Sequence, residues 1–152
     1  NTSSSNSRHG MQFYNSNNNR IENNIISNNE YDGIILQNGS GNNIFKNNRI
    51  ENNSRFGIYD PIGSGNNNIF YRNILINNLR GNGYDEGMNQ WDGGSLECGG
   101  NYWSNYSPGC ADVDNNGICD LPLAIPPYYI VKDNFPFKDL NLVTMPVPVG
   151  CP

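Results

Sequence analysis

Apolar residues along this chain occur in short pieces that are separated by turns rich in asparagine and glycine. No segment carries apolar residues at a sustained spacing of about 3.6 residues, which is the period of an amphipathic helix. Asparagine and glycine also disfavour helical backbone. The pattern therefore predicts short β-strands joined by tight turns. The predicted strands contain Ile21, Ile25-Ile26, Ile34 to Leu36, Phe45, Ile50, Ile58, Phe70 and Ile74 to Ile76.

The strand pattern repeats. Twelve of the 24 residues from Asn18 to Gly41 recur one 24-residue step later, and a third copy follows with one additional residue. Short strands that recur at such a period are typical of a solenoid, in which successive coils stack on one another. We expect one ladder of side-chain amides at Asn24, Asn48 and Asn73, a second ladder at Asn29, Asn53 and Asn78, and a line of core residues at Ile26, Ile50 and Leu75.

The overall composition agrees with a secreted protein of one domain and a tail. Hydrophobic residues make up 36% of the 152 residues, which is low for a globular fold but sufficient for narrow coils that share a small core. No apolar run approaches the ~20 residues that a membrane span requires. Because the chain begins at Asn1 without methionine, we expect it to be processed or to be a piece of a longer protein.

Cysteines and glycosylation motifs indicate an extracellular or cell-surface location. The four cysteines lie beyond the repeats at Cys98, Cys110, Cys119 and Cys151, and their spacing matches no compact metal site. Two disulfides are the default interpretation in an oxidising compartment, and the pairing stays open. Four N-glycosylation motifs begin at Asn1, Asn38, Asn52 and Asn105, although an asparagine-rich chain also produces such triplets by chance.

Charge is distributed unevenly. Residues 81–131 contain seven acidic residues and no lysine or arginine. Phosphate binding requires clustered cations, so nucleic acid is excluded as a partner for this half of the chain. The excess of negative charge in residues 81–131 instead favours a bound cation.

An acidic loop from Asp112 to Asp120 predicts a calcium site. Its spacing offers oxygen ligands at positions one, three, five, seven and nine, with a glycine for the sharp turn at position six. The expected ligands are the side chains of Asp112, Asp114, Asn116 and Asp120 and the backbone carbonyl of Ile118. Position twelve is Leu123, so the loop lacks the last ligand of an EF-hand and requires water or an outside group. The alternative is a solvated turn pinned by a disulfide at Cys119.

Several motifs after the repeats resemble a known family. They are Asn89-Gln90-Trp91-Asp92, the run from Gly99 to Tyr106, the acidic loop from Asp112 to Asp120, and Asp133-Asn134-Phe135-Pro136. Together they resemble the closing segment of NosD-type right-handed parallel β-helix proteins, which are secreted by archaea and some bacteria. The asparagine-rich repeats are similar to the coils of the same family, so the resemblance covers roughly residues 10–138. Cys119 stands where the family commonly has glycine, and Cys98 and Cys110 are additional, which suggests a disulfide added to the acidic loop.

The resemblance implies an all-β fold, a short right-handed parallel β-helix of three to four coils. Residues 1–88 would form the coils, residues 89–138 a loop-rich, disulfide-braced cap with the metal loop, and residues 139–152 an extended proline-rich tail. The family name refers to copper delivery. Soft-metal sites need converging His, Met or Cys ligands, whereas this chain offers His9, Met11, Met88 and Met145 scattered along the sequence. A NosD-like copper-related role in the periplasm is therefore the lesser alternative.

An enzymatic function is a second alternative. Parallel β-helix lyases and glycosidases act through carboxylates on the outside of neighbouring coils, and a 25-residue step brings Tyr59-Asp60 beneath Tyr84-Asp85. Two carboxylates at this separation have the spacing of a retaining glycosidase, and sugar rings could stack on Tyr59 and Tyr84. Against catalysis, Asp60 precedes a proline and no Arg or His accompanies the pair. We therefore predict no catalytic residues and keep Asp60 and Asp85 as weak candidates.

The third function class is structural. A solenoid exposes strand edges at its terminal coils, and nothing bulky covers the N-terminal coil. The segment from Leu142 to Val149 is extended and apolar at alternate positions, so it could add to such an edge on another copy and generate filaments. A proline-rich linker trimmed from a longer surface protein is the alternative. We predict a non-catalytic, calcium-stabilised and glycosylated β-helix module that serves as a cell-surface or filament subunit, with glycan binding as a compatible role.

Overall fold

The computed structural model describes residues 1–152 and shows a parallel β-solenoid of about four turns. Each of the first three coils contributes three short strands. The first coil has β1 (Thr2–Ser4), β2 (Met11–Tyr14) and β3 (Arg20–Glu22), and the second has β4 (Ile25–Ser27), β5 (Ile34–Gln37) and β6 (Ile44–Lys46). The third coil has β7 (Arg49–Glu51), β8 (Phe56–Asp60) and β9 (Ile69–Tyr71), and the fourth begins with β10 (Ile74–Ile76) and β11 (Gly81–Asp85). The predicted solenoid is confirmed.

Equivalent strands of successive coils pair in parallel and form three sheets. Their orders are β1-β4-β7-β10-β12, β2-β5-β8-β11 and β3-β6-β9, where β12 spans Tyr102–Trp103. Ile26 lies beside Ile50 and Ile50 beside Leu75, as the repeat predicts. The strand Thr2–Ser4 was not predicted, and it completes the first coil by pairing with β4.

The core is a narrow column of residues that stack from coil to coil. Ile26, Ile50 and Leu75 are fully buried. A second line is aromatic, because the ring of Phe45 stacks on Phe70 at 4.9 Å and Phe70 lies 4.5 Å from Trp91, measured between ring centroids. Fully burying such a side chain stabilises the fold by roughly 1.5–3 kcal/mol. The stacking therefore lets a chain with few apolar residues build a continuous core.

Left-handed residues form the corners of the coils. Asn23 has a φ of 59° and Asn47 a φ of 54° at the same corner of successive coils. Asparagine tolerates this conformation because its short polar side chain can bond to nearby backbone. In the next coil the equivalent corner is Arg72, with a φ of 53°. This is the one place where the corner replaces an amide with a long cationic side chain.

A loop-rich cap closes the C-terminal end of the solenoid. It contains β12, a 3-10 turn at Ser107–Gly109, and the antiparallel pair β13 (Leu123–Ala124) and β14 (Lys132–Asp133). The indole of Trp91 is fully buried, its ring centroid is 5.5 Å from that of Trp103, and Ile125 packs into the same core cluster. These bulky side chains cover the last coil and keep water from its apolar end.

Two disulfides fix the cap. Cys98 pairs with Cys151 across 53 residues, and Cys110 pairs with Cys119 across nine. The pairing that the sequence left open is thereby resolved. The second bond closes the acidic loop from Cys110, two residues before it, to Cys119 near its end, as the resemblance to the NosD family suggested.

The C-terminal tail is not the free extended segment that the sequence predicted. Residues Leu140–Val143 form one turn of α-helix, α1, in which Val143 is buried. The Nη2 atom of Arg72 donates to the carbonyl oxygens of Leu142 and Met145 at 2.9 and 2.8 Å. The carbonyl of Pro152 accepts a hydrogen bond from Tyr71. Because the tail docks on its own coils, it is unavailable to extend the sheet of a neighbouring molecule.

None of the helices has the length and apolar character needed to cross a membrane.

Candidate functional site

Buried amide ladders run along the solenoid. In the first ladder the Nδ2 atom of Asn24 donates to Oδ1 of Asn48 at 2.9 Å, and Asn48 donates to Asn73 at 3.0 Å. Each Oδ1 also accepts the backbone N–H of the asparagine on the preceding coil. The remaining Nδ2 hydrogen of Asn48 bonds to the carbonyl of Ile21 at 2.9 Å. Every polar atom of the amide is therefore satisfied, as a buried polar group requires.

The second predicted ladder is also present, and a third was missed. Asn29 donates to Asn53 at 2.8 Å, and Asn53 donates to Asn78 at 2.9 Å. The unpredicted ladder joins Asn19, Asn43, Asn68 and Asn89 through amide contacts of 3.0 Å. Its signal was in the sequence, because the doublets Asn18-Asn19 and Asn42-Asn43 recur at the same 24-residue step.

Buried carboxylates terminate two of the ladders, one of them in the cap. Asn101 continues the first ladder and donates its backbone N–H to Oδ2 of Asp133 at 2.7 Å. The same oxygen accepts Nε1–H of Trp103 at 2.8 Å, and Oδ1 accepts the backbone N–H of Phe135. Burial raises the pKa of Asp133 to about 7, and the N–H donors act in the opposite direction. Asp133 thus supplies acceptors where the amide chain ends.

Asp60 and Asp85 end the third ladder. They lie side by side in adjacent strands, as the 25-residue step predicts. Both side chains are buried, and Asn89 donates to both of them. The Oγ of Ser64 also bonds to Asp60, and Nε1–H of Trp91 donates to Asp85 at 2.7 Å. The expectation that this pair is displayed on the outside of the coils is wrong.

The protonation of Asp60 follows from its surroundings. Burial raises the pKa of Asp60 to about 7, and the neighbouring carboxylate of Asp85 acts in the same direction, whereas the hydrogen bonds from Ser64 and Asn89 lower it. A raised pKa is also a property of catalytic acids. Here, however, the carboxyl is fully buried and bonded to the fold, so no substrate atom can reach it without opening the coil.

An aromatic surface lies outside the same strands. The rings of Tyr59 and Tyr84 are 5.0 Å apart, and Phe56 lies 5.1 Å from each of them. The guanidinium of Arg55 sits 5.5 Å from the ring of Tyr59 and 5.8 Å from the ring of Tyr31. The two tyrosines that the sequence singled out for stacking therefore belong to a larger cluster of partly exposed rings with a cation at its edge.

The acidic loop brings three of its predicted ligands together. The carboxylate oxygens of Asp112, Asp114 and Asp120 lie within 4.8 Å of one another, and no other group of three or more His, Cys, Asp or Glu side chains converges in this way. Asp112 accepts the backbone N–H of Asn116 at 3.0 Å. Oδ1 of Asn116 accepts the N–H of Ile118 at 2.7 Å instead of facing the carboxylates.

The geometry of the loop is set by local turns and by the disulfide. Asn115 and Gly117 have positive φ values of 56° and 83°. Asp120 donates its backbone N–H to the carbonyl of Ala111 at 2.9 Å next to the Cys110–Cys119 bond. The side chain of Ile118 is buried against Phe137 and Val143. The carboxylates are thereby held near one another although none of them forms a salt bridge.

The residues present do not fit a copper site. His9 Nδ1 lies 3.2 Å from Oδ2 of Asp32, and the imidazole packs on Tyr31. Burial lowers the pKa of His9, and the carboxylate of Asp32 opposes that shift. Met11 packs against the core, whereas Met88 and Met145 are exposed on the cap and the tail. All four cysteines are in disulfides, so the soft ligands that copper prefers do not converge.

The four predicted glycosylation sites are all on the surface. Asn1, Asn38, Asn52 and Asn105 have exposed side chains. In the motif that starts at Asn52 the hydroxyl residue, Ser54, is exposed as well.

Comparison with known families supports the resemblance seen in the sequence. The family model described as periplasmic copper-binding protein (NosD) matches residues 1–108. The match covers the coils and β12 and ends before the acidic loop. No curated protein and no solved structure matches the chain. Because the matched segment spans more than two thirds of the sequence and folds as a parallel β-helix, the chain belongs to the NosD family.

Proposed function

We propose that the protein is a non-catalytic β-helix module that acts outside the cytoplasm as a structural element of the cell surface. The observation that carries this proposal is the burial of Asp60 and Asp85, the one carboxylate pair that neighbouring coils align. Their oxygens accept hydrogen bonds from the side chains of Ser64, Asn89 and Trp91. Two disulfides suit an oxidising compartment, and the family is described as periplasmic.

The partner surface in this proposal is the N-terminal coil. Strands β1, β2 and β3 each pair on one side only. Phe13 lies at this end and packs on Phe45 with a centroid distance of 5.2 Å. Unpaired strand edges favour the addition of another chain, so another copy or another surface protein would dock here, whereas the docked tail does not contribute.

We expect this protein to assemble through the N-terminal coil. Size-exclusion chromatography and electron microscopy should show oligomers or filaments for the unchanged protein, and Phe13→Lys should shift them to monomers because it places a charge at the contact. Ile62→Lys, at an exposed position of the third coil, should leave assembly unchanged. A monomer at every concentration tested would contradict this part of the proposal.

Calcium binding in the acidic loop is the second element of the proposed function. Calcium prefers several oxygen ligands in a flexible arrangement, and three carboxylates already converge there. The ligands would be Asp112, Asp114, Asn116, the carbonyl of Ile118 and Asp120. The bound ion would offset the repulsion between the carboxylates and so stabilise the cap.

Calcium should raise the thermal transition of the protein, and chelation should lower it. At a free calcium concentration of 100 times Kd the stabilisation is about 2.7 kcal/mol. Asp114→Asn should weaken calcium binding at least tenfold in isothermal titration calorimetry. The exposed acid Glu30 offers a matched control, because Glu30→Gln removes the same charge far from the loop. An identical melting curve with calcium and with chelator would remove calcium from the proposal.

Glycan binding on the aromatic surface is a second candidate function. The specific observation is the contact between the rings of Phe56, Tyr59 and Tyr84 with Arg55 at their edge. Aromatic faces bind the apolar faces of sugar rings, and arginine adds a hydrogen-bonding cation. We also propose that the module carries a glycan of its own at Asn52 or another exposed motif, which an intact-mass measurement of the natural protein would detect.

A polysaccharide panel tests the glycan role. Tyr59→Ala with Tyr84→Ala should abolish binding to any retained polysaccharide, whereas the exposed Tyr14→Ala should not. No reducing ends or unsaturated products should form, because Asp60 and Asp85 are buried. Product formation that is lost in Asp60→Asn would instead establish a polysaccharide-processing enzyme.

A further inference from the structure

Arg72 is a buried cation without a counter-ion. Its side chain occupies the corner that asparagine fills in the two preceding coils, and the residue is only 3% exposed. It takes part in no salt bridge, although five other pairs form elsewhere in the protein. The guanidinium carbon lies 5.2 Å from the ring centroid of Phe137. Burial lowers the pKa of Arg72 from its ordinary value, yet a guanidinium remains protonated at neutral pH.

The hydrogen bonds of Arg72 satisfy only part of its capacity. A guanidinium carries five N–H donors. The two hydrogen bonds from Nη2 go to the carbonyls of Leu142 and Met145, whereas Nε is buried and has no partner. An isolated buried charge is costly, and buried charges in proteins are normally paired. The contacts to the tail therefore leave the Nε–H group without an acceptor and the positive charge without a counter-ion.

Arg72 lines a cavity that is otherwise largely apolar. The cavity has a volume of about 260 Å³ and lies between the last coils and the docked tail. Its walls include Leu96, Phe137, Leu142, Pro146 and Pro148. The Cys98–Cys151 bond fixes the tail beside Leu96 and so maintains one wall.

We propose that this cavity binds a small carboxylate that carries an apolar body. The carboxylate would pair with the guanidinium of Arg72 through an N–H group that the tail carbonyls leave free, because a hydrogen bond between two charged groups is stronger than one between neutral groups. The apolar part would contact Leu96, Pro146 and Pro148. The cavity volume of about 260 Å³ lies just below the range of about 300–1,000 Å³ for ligand pockets, so it suits a small molecule such as benzoate. Asn116 and Ile118 of the acidic loop also line this cavity. The proposed contacts use neither residue and do not involve the aromatic surface, so the inference goes beyond the proposed function.

Glu97 is the one carboxylate among the residues that line the cavity. Its side chain is exposed and forms no salt bridge with Arg72. If Glu97 competes with the ligand for Arg72, Glu97→Gln should strengthen carboxylate binding or leave it unchanged. Weaker binding in this variant would contradict the proposed pairing.

Titration with three probes tests the proposal. Benzoate should bind in isothermal titration calorimetry and should shift one arginine Nε–H resonance in an NMR spectrum of the protein. Benzamide lacks the charge and acetate lacks the apolar body, so both should bind at least tenfold more weakly. Arg72→Gln should abolish benzoate binding, whereas Arg80→Gln, which removes an exposed arginine, should not.

A second variant keeps the test decisive if Arg72→Gln fails to fold. Leu96 is 52% exposed, so Leu96→Trp should be tolerated while its larger side chain fills the cavity and excludes benzoate. The proposal is overturned if benzoate does not bind, if benzamide binds as well as benzoate, or if the folded Leu96→Trp variant retains full affinity.

Discussion

Replacing Asn73 by alanine should lower the free energy of unfolding by about 3 kcal/mol or more, since each buried polar group left without a partner costs about 1–3 kcal/mol. Asn73 is fully buried, and its Nδ2 donates to Oδ1 of Asn101 at 3.0 Å and to the carbonyl of Phe45 at 2.9 Å. Its Oδ1 accepts two hydrogen bonds from Asn48. Urea unfolding followed by circular dichroism measures the loss.

A matched control distinguishes the loss of a ladder asparagine from the loss of an asparagine at the surface. Asn66 is exposed, and its side chain accepts one long hydrogen bond of 3.4 Å from Met88. Asn66→Ala should change the unfolding free energy by less than about 0.5 kcal/mol, as is usual for surface substitutions. Equal urea midpoints for Asn73→Ala and Asn66→Ala would show that the ladder does not stabilise the solenoid.

Removing the Cys98–Cys151 disulfide by paired serine substitutions should cost about 4 kcal/mol, because the bond closes a loop of 53 residues in the unfolded chain. The matched variant without Cys110–Cys119 should lose only about 2–3 kcal/mol, since that loop has nine residues. Both values come from the loop-closure model of disulfide stabilisation. Urea midpoints of the two double variants check the order.

Limited proteolysis shows which part of the protein loosens in each of the two disulfide variants. Without Cys98–Cys151 the tail is held only by non-covalent contacts, among them the hydrogen bonds of Arg72 and Tyr71, so cleavage should begin after Val143. Without Cys110–Cys119 the first cleavage should fall in the acidic loop. A greater loss of stability from the nine-residue loop, or identical cleavage patterns in both variants, would contradict the roles assigned to the two bonds.

The coils could be predicted from the sequence because they are repetitive. When the chain returns to the same point every 24 or 25 residues, like residues come to lie beside like, and the register of Ile26, Ile50 and Leu75 follows by counting. Fold class, two amide ladders and the aligned Asp60 and Asp85 were all accessible in this way. The NosD resemblance is confirmed by the family match.

The inward orientation of Asp60 was also within reach of the sequence. Residues two apart on a strand face the same side, so Asp60 should share the side of Ile58, which is fully buried. The outward face of the strand belongs to Tyr59, which does reach the surface.

The cap and the tail could not be predicted because their contacts are long-range and occur once. Asp133 meets Asn101 across 32 residues, and Pro152 meets Tyr71 across 81. Neither contact follows a repeat, and no local motif specifies the partner. The role of Arg72 was hidden for the same reason, since its environment is built by the tail.

The amide ladders have a direction. In the first ladder each side-chain amide donates to the amide oxygen of the next asparagine along the chain, from Asn24 to Asn48, Asn73 and Asn101. A carboxylate accepts hydrogen bonds but has no amide N–H to donate to a further residue, so the first ladder ends at Asp133. An inserted coil that carries an asparagine at this position would therefore lengthen the first ladder while Asp133 still ends it.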